Sequence, residues 1–326
     1  MKSHSILLAA LLCLMGCKQQ PEPVAPIFNH DISEGPKPWT SETFEPTEED
    51  FTFAIISDLN GGEREGVYAT AVQQLNQLDP TFVLSVGDLI DGGTEIDSIL
   101  TKEWDSFDDR TAKLNMPFFH LGGNHDLTNP KMREFWENRF GPRYYHFVYD
   151  DVLFLMMDSE DYEEKRMMEI YEARAKALKI IAGEIEGKYE ESEYYSMPER
   201  SIGGMSSAQL GYFTEVLKKY PNVKWTFVLM HKPLWMREDE KGLGPLEDVL
   251  ANRDYTVING HFHSFSNRIR KGHSYTMLGT TGGSQNPQDS MAFDHVTLVR
   301  MAKQPVITHL KMAGILNEQG TIPSGQ

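Results

Sequence analysis

The sequence predicts an α/β domain built on parallel strands, and three observations carry that expectation. Apolar runs at 52–57, 81–86, 117–121, 224–230 and 255–259 have strand length. Each ends in metal-ligand residue types: Asp58-Leu59-Asn60, Gly87-Asp88-Leu89-Ile90-Asp91, Gly123-Asn124-His125-Asp126, His231, and Gly260-His261-Phe262-His263. A helical stretch between the first two runs makes a βαβ unit, whose strands are parallel neighbours. Open α/β sheets gather their ligands at the carboxyl ends of their strands, so five such ends point to one metal-bearing cleft.

Taken in order, 66–78 reads as a helix with Val67, Ala71, Leu75 and Leu78 on one face, closed by Asp79-Pro80. The stretch 96–114 reads as a second helix that stops before Pro117. Runs 144–149 and 152–157 flank Asp150-Asp151 as a hairpin. The charged, Pro-free stretch 160–188 repeats Met167, Ile170, Tyr171, Leu178, Ile181 and Ile185 at helical spacing. It is expected to be an amphipathic helix inserted between core elements, followed by an acidic, tyrosine-bearing loop to Gly204. The inserted segment is taken as 161–205, as either a structural lid or a substrate-selecting element. Ser206 and Gln209 have capping-box spacing before a helix with Leu210, Phe213 and Leu217 inward. Strands are expected at 274–278, 293–300 and 305–311, and Gly279-Thr280-Thr281-Gly282-Gly283 forms a loop without ligands.

The N-terminus is a targeting segment. Lys2 precedes the short apolar stretch 6–15, which suits a secretory leader better than a membrane span. Leu14-Met15-Gly16-Cys17 resembles a bacterial lipobox, which implies a leader 1–16 and lipid on Cys17. The protein is then expected to be a bacterial, extracytoplasmic lipoprotein held to a membrane. The only other cysteine, Cys13, lies within the leader, so Cys contributes to neither a disulfide nor a metal site. Pro21, Pro23, Pro26, Pro36, Pro38 and Pro46 make 17–50 read as a semi-extended tether, with docking of Trp39 and Phe44 on the domain left open, the domain as 51–315 and 316–326 as a tail. A formal charge of −17 over 326 residues argues against nucleic-acid binding, which needs a basic face.

The ordered motifs resemble those of the calcineurin-like metallophosphoesterase superfamily: Asp-x-His, Gly-Asp-x-x-Asp, Gly-Asn-His-Asp/Glu, a lone His, then Gly-His-x-His. The resemblance spans about 51–312. It implies a four-layer α/β/β/α sandwich holding two divalent or trivalent metal ions that activate water for attack on a small phosphate mono- or diester. Two nearby dications need a shared anion, and by resemblance Asp88 bridges them. The first metal would take Asp58, His263 and position 60, and the second Asn124, His231 and His261. Mixed imidazole and oxygen donors suit Mn, Fe, Zn or Ni. By resemblance His125 is a catalytic group beside the phosphate, acting as general acid or charge stabiliser, with Asp126 holding its ring.

One position departs from the pattern. Asn60 stands where the family has His, and a neutral amide is a weaker ligand that favours harder ions. Three outcomes are open: Asn60 ligates through its amide oxygen, water or Asp91 takes the place, or the first metal is lost. The alternative function is accordingly a binding lipoprotein with a vestigial site. His30, His120, His146, His273 and His295 match no motif and are not expected to be ligands.

Overall fold

The computed structural model describes residues 27–45 and 50–312. The expected leader, Cys17 and the tail 316–326 lie outside the described residues.

The first expected strand forms as β2 (Phe51–Ile56), after a short β1 (Phe28–His30). Helix α1 (Val67–Leu78) leads to β3 (Phe82–Ser85), and β2 and β3 are parallel, as the βαβ reading requires. Asp79 ends α1 in the left-handed region, φ 49°, with its N–H on the Leu75 carbonyl. Then come α2 (Asp97–Thr111), β4 (Phe118–Phe119), α3 (Pro130–Phe140), β5 (Tyr145–Tyr149) and β6 (Val152–Met156). β5 and β6 pair antiparallel, confirming the hairpin. The insertion contributes α4 (Glu164–Ile181) and α5 (Glu193–Ser196). The chain finishes with α6 (Ser207–Lys219), β7 (Trp225–Met230), α7 (Gly244–Leu250), β8 (Tyr255–Asn259), β9 (Ser266–Arg270), β10 (His273–Met277), β11 (His295–Met301) and β12 (Pro305–Lys311).

The strands form two sheets, ordered β1-β5-β6-β7-β8-β10-β9 and β12-β11-β2-β3-β4. Alternation along each strand explains the layering. Phe51, Phe53 and Ile55 of β2 join Phe147, Phe154 and Phe227 of the other sheet in the core between the sheets. Ala54 and Ile56, pointing the other way, pack under α1, α2 and α3 with Leu75, Trp104 and Trp136. Leu153 and Leu155 of β6 likewise turn outward to Phe213 of α6 and Leu246 of α7. The result is the expected α/β/β/α order. Because β2 and β6 are buried on both faces, their sequences read as continuous apolar runs.

Three expectations need correction. Residues 27–45 are not tether: β1 adds to the edge of β5, and Phe28, Trp39 and Phe44 pack into the core between the sheets. Trp39 is buried and bridges to Phe119. Burial of aromatic area outweighs the extended habit that the prolines impose. Helix α3 was absent from the sequence reading, although Asn129-Pro130 is a start signal. Asn129 accepts from the Met132 N–H and Pro130 sits at the first turn. Finally, only half of the expected capping box forms. Ser206 accepts from the Gln209 N–H, but the Gln209 amide turns to the Asp158 backbone instead.

Candidate metal centre

The carboxyl ends of β2, β3, β7 and β8, with the loop after β4, converge as predicted. Backbone bonds hold the first two ends together: Asp58 N–H donates to Gly87, and Leu59 and Asn60 N–H both donate to the Asp88 carbonyl, at 3.0–3.1 Å. Asp58, Asp88, His261 and His263 have φ of 51°, 59°, 82° and 54°. Side chains other than Gly rarely adopt this left-handed conformation, and such strain concentrates at functional sites. There is no spare room around the ligands. A Cβ on Gly123 would lie 2.3 Å from Asp88 Oδ1, and one on Gly260 would lie 2.3 Å from Asp58 Oδ2.

Two ligand groups result. Donor atoms of Asp88, His231 and His261 lie within 4.8 Å of one another, as do those of Asp58, Asp88 and His263. Asp88 belongs to both. Each histidine is held by one ring nitrogen on a backbone carbonyl: His231 Nδ1 on Val86 at 2.8 Å, His261 Nε2 on Arg200 at 2.9 Å, and His263 Nδ1 on Ser284 at 2.5 Å. Those carbonyls accept only, so each neutral ring keeps its proton there and leaves the other nitrogen unprotonated for a metal. His231 Nε2 then meets Asp88 Oδ2 at 3.0 Å, and His263 Nε2 meets Asp58 Oδ1 at 3.4 Å, acceptor facing acceptor. Such pairs require a cation between them. Without a metal the cation is a proton. Burial lowers both rings, but the Asp88 charge pushes His231 up to about 9, and the Asp58 carboxylate does the same for His263, also to about 9. Burial opposes the charge on Asp88 as well, yet His231 and His125 hold it well below the usual carboxylate range.

The two asparagines fit the same picture. Asn60 is 2% exposed; its amide N–H donates to the Leu89 carbonyl at 2.7 Å, and its Oδ1 has no hydrogen-bond partner. Asn124 Oδ1 is equally buried and unpartnered. Buried amide oxygens left unsatisfied are costly, and a cation would satisfy both. Asp91 is exposed and contributes its carbonyl, not its carboxylate, so it does not replace the missing histidine.

The structure corrects the catalytic pair. Asp126 does not hold His125. Its Oδ1 accepts from the N–H groups of Leu89 and Ile90, and its Oδ2 from those of Asp88 and Gly123, at 2.7–3.1 Å. It is a positioning residue that shapes the loop carrying Asp88. Burial and the Asp88 charge push its carboxyl up to about 7 against those donors. His125 Nδ1 instead bonds the Asp91 carbonyl at 2.7 Å, and its Nε2 lies 3.0 Å from Arg174 Nη2. A guanidinium only donates, so this His125 is neutral with Nε2 accepting. Burial, aided by the Arg174 charge, lowers its affinity for a proton.

Arg174 and Arg200 are the residues that sequence reasoning missed. Both line a cleft of about 360 Å³ with Asn124, His125, His261 and His263, and Tyr189 and Tyr194 line it as well. The expected inward face of α4 is rotated. Met167, Ile170, Ala173, Arg174 and Ala177 are buried, whereas Leu178 and Ile181 are 47% and 61% exposed. An arginine among the buried positions of an amphipathic helix is the signal that was available.

The calcineurin-like phosphoesterase family model matches residues 51–265. No curated protein matches the chain. Among solved structures, a dimetal phosphatase from Danio rerio is similar at a TM-score of 0.57 and 15% identity, covering 80% of this chain and 96% of that one. The structure of PhoD is similar at a TM-score of 0.51 and 9% identity, covering 80% and 68%. At these identities the likeness is one of fold, and it agrees with the layering described above. With the matched residues taking in the motifs from Asp58 to His263, the chain belongs to the calcineurin-like phosphoesterase family, hydrolases that act on phosphoric ester bonds.

Proposed function

We propose that this protein hydrolyses small phosphate esters in a two-metal site, tethered by lipid on Cys17 to a bacterial membrane on its extracytoplasmic side, periplasmic or cell-surface. The observation that carries the catalytic part is the pair of ligand groups sharing Asp88, with unpartnered Asn60 and Asn124 oxygens beside them. Asp58, Asn60, Asp88 and His263 would hold one ion, and Asp88, Asn124, His231 and His261 the other. The donors are imidazole and oxygen without sulfur, which suits Mn, Fe, Zn or Ni. When bound, the ions supply an ionised attacking water and screen the phosphoryl oxygens. The chain's own residues do the rest. The carbonyls of Val86, Arg200 and Ser284 fix the three ring tautomers, Asp126 fixes the loop of Asp88, and His125 with Arg174 faces the cleft beside Asn124.

Anchoring is supported by the lipobox-like Leu14-Met15-Gly16-Cys17. No helix among the described residues is long and apolar enough to cross a membrane. The experiment strips the purified chain with chelator and assays para-nitrophenyl phosphate and its bis ester after adding each metal singly. Metal-restored hydrolysis is expected. Folded protein inert with every metal would favour the vestigial-site reading. A Cys17→Ser chain that still sediments with membranes would refute the anchor.

A further inference from the structure

Two basic side chains among the described residues are buried, Lys232 and Arg174. Lys232, 1% exposed, is neutralised: its Nζ lies 2.9 Å from Glu160 and also donates to the Glu199 carbonyl at 2.8 Å. Arg174, 7% exposed, has no carboxylate within ion-pair distance among the described residues. Its hydrogen-bond partner is a neutral ring nitrogen, His125 Nε2. Burying an unpaired guanidinium is costly, and a protein keeps one where an anion arrives. Its surroundings say where that anion sits. Arg174 shares the cleft with Asn124, His261 and His263, and a second arginine, Arg200, lies on the same wall with its Nε buried and unpartnered.

The arrangement is rigid. Helix α4 packs on Tyr162, Tyr194 and Met197, and the inserted segment is pinned to the His231 strand end by Lys232. Arg166 closes it further with a two-pronged contact to Glu199, at 3.2 and 2.9 Å. The cation is therefore held over the site before any substrate enters.

Resting on the two-metal reading, we propose that Arg174 selects phosphomonoesters by pairing with a terminal phosphoryl oxygen that a diester lacks. A monoester dianion has three unesterified oxygens, enough for the metal pair and for a guanidinium. A diester has two, and its second ester group would be turned against Arg174. Arginine's planar fork suits a charged phosphate far better than an ester oxygen. The insertion, although acidic overall, thus places a local cation where the substrate's second charge would lie.

The test compares the metal-loaded wild-type chain with Arg174→Met, which keeps the packing volume, and Arg174→Lys. Wild type should prefer para-nitrophenyl phosphate to its bis ester. Arg174→Met should lose monoester kcat/KM by about 10²–10³-fold, the usual scale for one transition-state donor. Diester kcat/KM should change less than about threefold, and Arg174→Lys should recover part of the monoester loss. Inorganic phosphate, titrated calorimetrically, should bind Arg174→Met about 10–100-fold more weakly, as expected for one charge-assisted hydrogen bond. Metal content should match wild type, and the Tm of Arg174→Met should be no lower than that of wild type, because the variant removes a costly buried charge. Equal losses on both esters, or no loss, would overturn the assignment. Failure of the two-metal reading looks different: wild type itself would turn over neither ester. Phosphate affinity would still decide Arg174 there, with equal affinities overturning the assignment and weakened binding in the variant supporting it.

Discussion

Asp126→Asn separates two roles for one carboxylate. The side chain is fully buried, and four backbone N–H groups converge on it, two on each oxygen. Asparagine keeps the shape but replaces one oxygen with an NH₂ group. Whichever way the amide turns, two backbone N–H groups then face a donor instead of an acceptor. Each buried donor left unsatisfied costs about 1–3 kcal/mol, so the pair costs about 2–6 kcal/mol. In a domain of this size that is a fall in Tm of roughly 5–20 °C. The donors belong to Asp88, Leu89, Ile90 and Gly123, so the lost order falls on the loop carrying the shared ligand. Metal affinity should fall by about 10–100-fold, the usual effect of losing a group that orients a ligand.

The contrasting role is that Asp126 orients and charges the His125 ring. On that reading, Asp126→Asn would shift the pH dependence of kcat/KM and leave Tm and metal content nearly intact. Thermal melts of the metal-free protein, metal content after dialysis against a competing chelator, and a pH–rate profile distinguish the two. A shifted profile with unchanged Tm and full metal occupancy would refute the argument made from the four N–H groups. The structure predicts the reverse, because His125 bonds the Asp91 carbonyl and Arg174 instead.

Two further perturbations test other parts of the molecule. Asn60→Ala removes the unpartnered Oδ1 and also strips the Leu89 carbonyl of its donor. It should weaken the ion held by Asp58, Asp88 and His263 about 10–100-fold and leave the other near its wild-type affinity. Two equal, unaltered metal affinities by chelator competition would place Asn60 outside the centre. His120→Phe tests a buried proton site outside the two ligand groups. His120 stacks on Phe140 with centroids 4.2 Å apart, and burial pushes it down to about 3 from 6.5. Below pH 6.5 the unfolded chain takes up a proton that the folded chain refuses down to about pH 3, so stability falls as pH falls through that window. At pH 5 the loss is about 2 kcal/mol, which Phe should abolish. The Tm difference, variant minus wild type, should therefore be more positive by about 4–8 °C at pH 5 than at pH 7.5. A difference constant with pH would show that His120 is not linked to protons.

Most of the candidate ligands could be read from the chain because each follows an apolar run, and the physics of parallel sheets brings such strand ends together. Asp58, Asp88, His231, His261 and His263 fall into the two ligand groups accordingly. What orients them could not be read. Val86, Arg200 and Ser284 act through their carbonyls, which no residue letter signals. The role of Asp126 was misread for a related reason: its partners are four N–H groups, and the neighbouring ring of His125 is a more obvious partner in sequence than in space. The N-terminal strap was misread through its prolines, although Phe28, Trp39 and Phe44 carry enough aromatic surface to dock. Helix α4 was placed on the right segment but rotated, because Leu178 and Ile181 completed an apolar stripe. That stripe is incomplete in a telling way. Arg174 sits a single residue from Ala173 and three from Ala177, on the face that packs inward. A charged residue there either finds an acid or awaits an anion, and no acid pairs with it among the described residues. The insertion's net acidity therefore says little about the cleft. Screening confines exposed charges to short range, whereas a largely buried guanidinium held beside His125 is screened much less.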